Sequence, residues 1–262
     1  MKILFIGDIV GKAGRKAVAN LLPEISDKYQ LDLIIANGEN AAGGFGLTPS
    51  ICEELLDNNI NLITSGNHIW KHKEIIEYLE NNGCLLRPAN YPQGAPGKGS
   101  TIIRTRQGDE VGVINLLGRI FMDSLDCPFQ TAKTEINKLK DRTKVILVDF
   151  HAEATSEKAA LGWFLDGEVS AVIGTHTHVQ TADEMILQKN TAFITDAGMT
   201  GPVNSVIGIK KEAAIKKFLT QMPQKFDVAK KKIQLQGVLI DIDSSSGMAE
   251  NIERIKVDLS SQ

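Results

Sequence analysis

Several features that mark common protein classes are scarce in this 262-residue sequence. Lys and Arg number 29 against 32 Asp and Glu, so a net charge of −3 offers no basic excess for binding nucleic-acid backbones. No apolar stretch is long enough to cross a bilayer, and the apolar run at residues 3–6 is too short for the core of a signal peptide. We therefore expect no long nucleic acid and no membrane among its partners.

Cysteine is also scarce. The three cysteines, Cys52, Cys84 and Cys127, are odd in number, far apart in sequence, and form no C-x-x-C pair. This usage is typical of reduced, partly buried thiols, and it favours a cytoplasmic protein over a disulfide-bonded secreted one.

Short apolar runs alternate with helical patterns along most of the chain. The pattern predicts strands at residues 2–6, 33–36, 61–64, 101–105, 111–117, 145–150, 171–173 and 192–195, and helices at 12–29, 49–58, 72–80, 133–139 and 156–164. Residues 233–243 and 252–257 read as a closing antiparallel pair. The alternation favours βαβ units and a largely parallel sheet, and the closing pair suggests a second, mixed sheet.

The chain divides unevenly around residues 87–99, which contain three Pro and three Gly. This stretch predicts a loop, and a linker is an alternative interpretation of it. Neither flanking half is self-sufficient in its pattern, so we expect one domain spanning residues 1–262.

Polar side chains follow five of the predicted strands at their carboxyl ends, where open α/β sheets bind ligands. These residues are Asp8, Glu39, Asn40, Asn67, His68, His151, His176 and His178. The sequence has five histidines, and four of them are in this set. The fifth, His72, follows His68 by four residues and is left without a role.

Each of these residues has an ordinary structural explanation when taken alone. Asp8 suits a turn or a helix cap, and His151 suits a hydrogen-bonded core position. Together, however, the residues other than His68 supply carboxylate or amide oxygens and three imidazoles to what we expect to be one edge of one sheet. Such ligands, without thiolate, suit Fe, Mn or Zn better than Ca or Mg. These ligands are too many for a single metal ion that keeps one coordination position open. Their number therefore favours two ions bridged by Glu39.

The order of these motifs resembles the calcineurin-like metallophosphoesterase superfamily. The motifs are Gly7-Asp8, Gly38-Glu39-Asn40, Gly66-Asn67-His68, His151, and Gly174-Thr175-His176-Thr177-His178. Within it, the stretches at residues 37–44 and 87–92 resemble the bacterial YmdB-like branch of 2′,3′-cyclic nucleotide phosphodiesterases. The superfamily usually has Asp-x-His where Asp8 is followed by Ile9 and Val10, and Asp where Glu39 stands, but this branch shares both departures.

The resemblance implies an α/β fold with two packed mixed β-sheets flanked by helices, an α/β/β/α sandwich. It also implies one metal ion held by Asp8, Glu39, Asn40 and His178, and a second held by Glu39, Asn67, His151 and His176. These would be divalent or mixed-valence transition ions, with Fe first and Mn or Zn as alternatives. His68 would act as a general acid rather than a ligand.

The activity implied by the resemblance is hydrolysis of small cyclic nucleotides, namely 2′,3′-cyclic nucleoside monophosphates to 3′-nucleotides, by a metal-activated hydroxide. Three alternatives stay open at this point. They are a metal-binding regulatory protein of low turnover, a phosphoesterase for another ester, and a metal-free nucleotide-binding protein. A metal-free nucleotide-binding protein would leave the histidine cluster unexplained. His68 distinguishes an enzyme from a regulatory metal-binding protein, because binding metal does not require it. Oligomeric state is also left open, with a homo-oligomer as one option.

Overall fold

The computed structural model describes residues 1–260, and strands and helices alternate through most of them. In chain order the strands are β1 (Lys2–Ile6), β2 (Asp8–Ile9), β3 (Leu33–Asn37), β4 (Leu62–Thr64), β5 (Ser100–Arg104), β6 (Glu110–Leu117), β7 (Val145–His151), β8 (Ala171–Thr175), β9 (Met185–Ile186), β10 (Ala192–Ile194), β11 (Met199–Pro202), β12 (Ile233–Ile242) and β13 (Ala249–Asp258). The α-helices are α1 (Gly11–Tyr29), α2 (Pro49–Asp57), α3 (Ile75–Asn81), α4 (Pro128–Leu139), α5 (Thr155–Phe164) and α6 (Lys211–Thr220).

Local sequence signals account for several of these boundaries. The Thr48 side chain caps α2 by accepting a hydrogen bond from the Ile51 backbone N–H, and Pro49 begins the helix as expected. Helix α1 continues through Pro23, so a proline within the predicted helix does not end it. Helix α4 begins at Pro128 rather than at residue 133, again with Pro in its first turn. Helix α6 and the short strands β2, β9 and β11 were not predicted.

The first sheet has the strand order β2-β11-β12-β1-β3-β4, with β13 on β12. Strands β1, β3 and β4 run parallel, and β12 lies antiparallel to β1 from Lys2–Asp241 to Ile6–Gly237. The closing pair therefore completes the first sheet, and its assignment to a second sheet was wrong. The apolar pattern of a hairpin does not specify which distant strand it joins, and β1 offers β12 its free edge.

The second sheet has the order β5-β6-β7-β8-β10-β9. Its four central strands are parallel, and β5 and β9 add antiparallel edges. The two sheets are therefore both mixed, as the family resemblance implies.

Three apolar layers hold the sheets and helices together. One layer lies between the sheets and contains Ile3, Phe5, Leu33, Ile35, Val113, Leu147, Ile173 and Val238, among others. Helices α1, α2 and α3 pack on the outer face of the first sheet, and α4 and α5 on that of the second. Each fully buried aliphatic side chain contributes about 1.5–3 kcal/mol, so these layers stabilise the assembly. The α/β/β/α sandwich is confirmed. No helix within residues 1–260 is both long and apolar enough to span a membrane.

The inner faces of the strands change from apolar to polar towards their carboxyl ends. Alternate residues of β3 are Leu33, Ile35 and Asn37, and those of β7 are Val145, Leu147, Asp149 and His151. Strands of both sheets show this change, so the polar ends meet between the sheets. The expectation of one edge of one sheet was wrong, because residues 82–99 carry the chain from the first sheet to the second.

Candidate metal centre

Three of the predicted ligands converge where the two sheets meet. The His151 imidazole places Nε2 3.0 Å from Glu39 Oε1 and 3.0 Å from His176 Nδ1. Glu39, His151 and His176 offer ligand atoms that all lie within 4.8 Å of one another, which is the spacing that one bound cation requires. Gly66 borders this trio. A Cβ atom at Gly66 would overlap the Glu39 carboxylate and the His151 ring, so only glycine allows this approach.

Asp8, Asn40 and His178 form a second group beside the trio. The Asn40 amide nitrogen lies 3.0 Å from His178 Nε2, and Asp8 Oδ1 lies 3.8 Å from the same atom. The His178 Nδ1–H donates to the Ile207 carbonyl at 2.9 Å. Nε2 therefore has a lone pair with which it could bind a metal ion. Asp8 also accepts from the His176 backbone N–H at 3.1 Å and so connects the two groups.

Asn67 and His68 lie next to the trio, but neither belongs to the group of ligand atoms that lie within 4.8 Å of one another. The His68 Nδ1–H donates to Glu39 Oε1 at 3.0 Å, and its backbone N–H donates to Glu39 Oε2 at 3.1 Å. The Asn67 amide contacts the His68 ring at 3.4 Å rather than the trio. His68 Nε2 is therefore on the side of the ring away from Glu39.

A buried polar network behind His151 was missed by the sequence reasoning. Thr175 Oγ1 donates to Asp149 at 2.7 Å and accepts from His151 Nδ1–H at 2.9 Å. Asp149 also accepts from the Asn37 amide at 3.0 Å. The network fixes the His151 tautomer so that Nε2 faces Glu39. The alternation of strand β7 was an available signal, because Asp149 shares a face with His151.

A second buried network holds the loop that carries His176 and His178. Lys158 from α5 donates to Asp196 at 2.8 Å, with both side chains almost fully buried. The same carboxylate accepts from the Thr177 N–H at 3.0 Å and the Thr177 hydroxyl at 2.7 Å. His176 and His178 have φ angles of 99° and 64°, an uncommon conformation outside glycine that needs such support.

The pKa values show strong electrostatic coupling within the trio. Burial raises the pKa of Glu39, but the charge of His151 and hydrogen bonds from His151 and His68 outweigh burial and hold it well below its usual range. Burial lowers the pKa of His151, but Glu39 and Asp8 outweigh this effect and raise it to about 9. Burial, followed by the charge on His151, lowers the pKa of His176 to about 3. The site thus favours positive charge beside Glu39 and a neutral ring at His176.

The residues present fit transition-metal ions. Among the described residues, Asp8 Oδ1, Asn40 Oδ1 and Asn67 Oδ1 are buried oxygen atoms without a hydrogen-bond donor. An unpaired buried oxygen is costly, and a cation would satisfy it. Oxygen and imidazole nitrogen donors without thiolate are those that Fe, Mn and Zn accept. The division of these residues into two ligand sets stays a prediction.

An α/β/β/α sandwich with carboxylate, amide and imidazole groups at the carboxyl ends of its strands defines a protein of the calcineurin-like metallophosphoesterase fold. The chain belongs to the YmdB-like protein family, whose model matches residues 4–255. It is 51% identical over 257 residues to a Bacillus subtilis protein named 2′,3′-cyclic-nucleotide 2′-phosphodiesterase, covering 98% of this chain and 97% of that protein.

Two solved structures share the fold over nearly the whole chain. One, described as a hypothetical protein from Thermus thermophilus, has a TM-score of 0.92 and 41% identity, with 98% of this chain and 99% of that chain covered. The other, described as a novel phosphatase from Mycoplasma pneumoniae, has a TM-score of 0.92 and 38% identity, with 98% and 93% covered. Both support the fold described above.

Proposed function

We propose that this protein is a metal-dependent phosphodiesterase that hydrolyses 2′,3′-cyclic nucleoside monophosphates to 3′-nucleotides. The observation that carries the proposal is the pair of adjacent side-chain groups, one around Glu39 and one around Asp8, which Asp8 connects through the His176 backbone N–H. Their buried oxygens include three that accept no hydrogen bond. The activity named for the Bacillus subtilis relative supports this class of substrate.

The proposed metal ligands form two sets that share Glu39. One set is Asp8, Glu39, Asn40 and His178, and the other is Glu39, Asn67, His151 and His176. Two ions bound there would supply Lewis acidity, which activates water near neutral pH and withdraws negative charge from the phosphate. We propose iron as the resident metal, with manganese or zinc as alternatives, because the donors combine imidazole with carboxylate and amide oxygen.

His68 is proposed as the general acid. Its Nδ1 proton is held by Glu39, and the ring lines the same cleft of about 300 Å³ as Glu39, His176 and His178. Nε2 is therefore the atom that would deliver a proton to the leaving 2′ oxygen of the ribose. A histidine suits this role because its ordinary pKa lies near physiological pH.

The test is elemental analysis of protein purified without added metal, followed by chromatography of the products from 2′,3′-cyclic AMP. We expect about two transition ions per chain and formation of 3′-AMP. Asp8→Ala and His151→Ala should lose metal and activity together. Formation of 2′-AMP would contradict the proposed place of His68. A fully active metal-free preparation would exclude the metal mechanism, and phosphomonoesterase activity alone would assign another substrate.

We also propose that the protein works in the cytoplasm. Cys52, Cys84 and Cys127 are all free thiols in the fold, as expected in a reducing compartment. Fractionation of cells that produce a tagged chain tests this location. Recovery outside the cytoplasmic fraction would contradict it.

A further inference from the structure

Part of the lining of the cleft beside the proposed metal centre is apolar. We define this apolar wall as Phe45, Ile207, Ile209 and Phe226, which line the cleft together with Glu39, His68 and His178. Ile207 and Phe226 are 52% and 40% exposed. Large exposed apolar side chains next to a polar cluster are typical of a ligand surface, since pockets combine apolar walls with a few polar groups.

The backbone at Ile207 argues that its side chain serves this cleft. Val206 and Ile209 exchange two backbone hydrogen bonds of 2.9 Å across a two-residue turn. Both central residues have positive φ angles, 45° at Ile207 and 99° at Gly208. Such turns favour Asn-Gly, and a β-branched residue with positive φ is a strained outlier. The turn alone therefore does not explain isoleucine at position 207.

Hydrogen bonds and ring contacts connect the apolar wall to the histidines of the site. The Ile207 carbonyl accepts the His178 Nδ1–H at 2.9 Å, and an isolated bridge joins Ile209 to Val228 near Phe226. On the other side, His72 Nε2–H donates to the Phe45 carbonyl at 3.1 Å. The Phe45 ring meets the His68 ring edge to face at 5.0 Å. His72, which the sequence left without a role, thus fixes one part of the wall.

We propose that the apolar wall binds the nucleobase of the substrate by stacking and apolar contact. This inference rests on the proposed function, because a phosphate at the metal-capable cluster would leave the rest of a nucleotide beside the wall. A cleft of about 300 Å³ admits one small nucleotide. The four side chains of the wall have no hydrogen-bonding groups, so stacking area rather than base identity would govern affinity.

The test compares two substrates that differ only in the base. These are 2′,3′-cyclic AMP and methyl β-riboside 2′,3′-cyclic phosphate, which lacks a base. In the wild type we expect a higher kcat/KM for the nucleotide. In Ile207→Asn and Phe226→Ala the ratio of the two kcat/KM values should fall about 5- to 50-fold, the scale of one lost stacking contact. An unchanged ratio in a double variant that combines Ile207→Asn with Phe226→Ala would overturn the proposal.

Ile207→Asn separates strain from binding. Because Asn suits this turn, its Tm should stay the same or rise by about 2–4 °C while the substrate ratio falls. Lys232→Asn is the matched control, since Lys232 has a φ of 52° and is exposed outside the cleft. Phe218→Ala is the control for Phe226, because Phe218 is 74% exposed and does not line the cleft. Both controls should keep the wild-type ratio.

Titration of adenosine into metal-free protein gives a readout that needs no catalysis. The wild type should bind adenosine, and Phe226→Ala should bind it about 5- to 50-fold more weakly. If the wild type hydrolyses neither cyclic phosphate, the proposed function fails. The titration then still tests whether the apolar wall binds a nucleobase. Equal adenosine affinity in wild type and variants, or no binding by the wild type, would overturn the wall proposal by itself.

Discussion

His68 is the residue whose proposed role as general acid would distinguish catalysis from metal binding in this site. It contacts Glu39 through two hydrogen bonds, yet the proposed ligand sets do not include it. We expect His68→Ala to keep near-normal metal content while turnover falls about 10²–10⁴-fold, the scale of general acid–base catalysis. Metal analysis and steady-state kinetics measure the two quantities.

The leaving group provides the control for this prediction. A nitrophenyl phosphodiester needs little protonation, so the loss in His68→Ala should be smaller for it than for 2′,3′-cyclic AMP. An equal loss on both substrates would argue for a positioning role. Loss of metal would instead make His68 a ligand.

Cys52 is expected to differ from the other two thiols. It is fully buried in α2, and burial, with a smaller effect from Glu53, raises its pKa to about 12. At pH 7–9 the thiolate needed for reaction is therefore almost absent at Cys52. A thiol reagent should modify two cysteines in the native protein and three after unfolding. Cys52→Ser should leave the native count at two, and a native count of three would contradict the prediction.

At the scale of elements, α5 supports the loop that carries His176 and His178 through the buried ion pair of Lys158 with Asp196. Removing one partner of a buried pair leaves an uncompensated charge, so Lys158→Met should destabilise the protein by about 3–5 kcal/mol. Metal affinity should also fall, because Asp196 holds Thr177 between His176 and His178. Urea unfolding and metal titration by calorimetry measure the two effects.

Lys138→Met is the matched control for this pair. Lys138 is 61% exposed and bonds Glu135 on the surface of α4, where an ion pair contributes about 0–1 kcal/mol. Equal stability and equal metal affinity in the two variants would refute the support proposed for Lys158.

At the scale of the whole molecule, we propose that residues 1–262 form one domain. The chain leaves the first sheet after β4, builds the second sheet, and returns with β12 between β11 and β1. Because the final strands complete the first sheet, the layer outside that sheet and the layer between the sheets both combine residues from the two sides of residues 87–99. We therefore expect the two sheets to unfold in one transition.

Two probes test this cooperativity. Trp70 fluorescence in a Trp163→Phe background reports the first sheet, since Trp70 packs on its outer layer. Hydrogen exchange of β7 amides reports the second sheet. Both probes should report the same urea midpoint. Two separated midpoints would show two independently stable halves and would restore the linker interpretation of residues 87–99.

Much of the fold followed from local chemistry that the sequence carries by itself. Strand alternation, the Thr48-Pro49 helix start, and polar residues after strand ends depend on neighbours a few residues apart. For this reason β1, β3 and β7, and the candidate residues at their carboxyl ends, could be predicted. The assignment of Asp8, Glu39 and His151 as metal ligands stays a prediction that the geometry supports.

Only the tertiary structure decided which of these elements meet. The contact of Asn37 with Asp149 spans 112 positions, and the pairing of β1 with β12 joins the two ends of the chain. Neither partner carries a local signal for the other, since apolar edges and buried polar groups can be satisfied in many arrangements. The sequence thus determined what each strand presents at its end. The packing of two sheets determined that these groups share one site, with an apolar wall beside it.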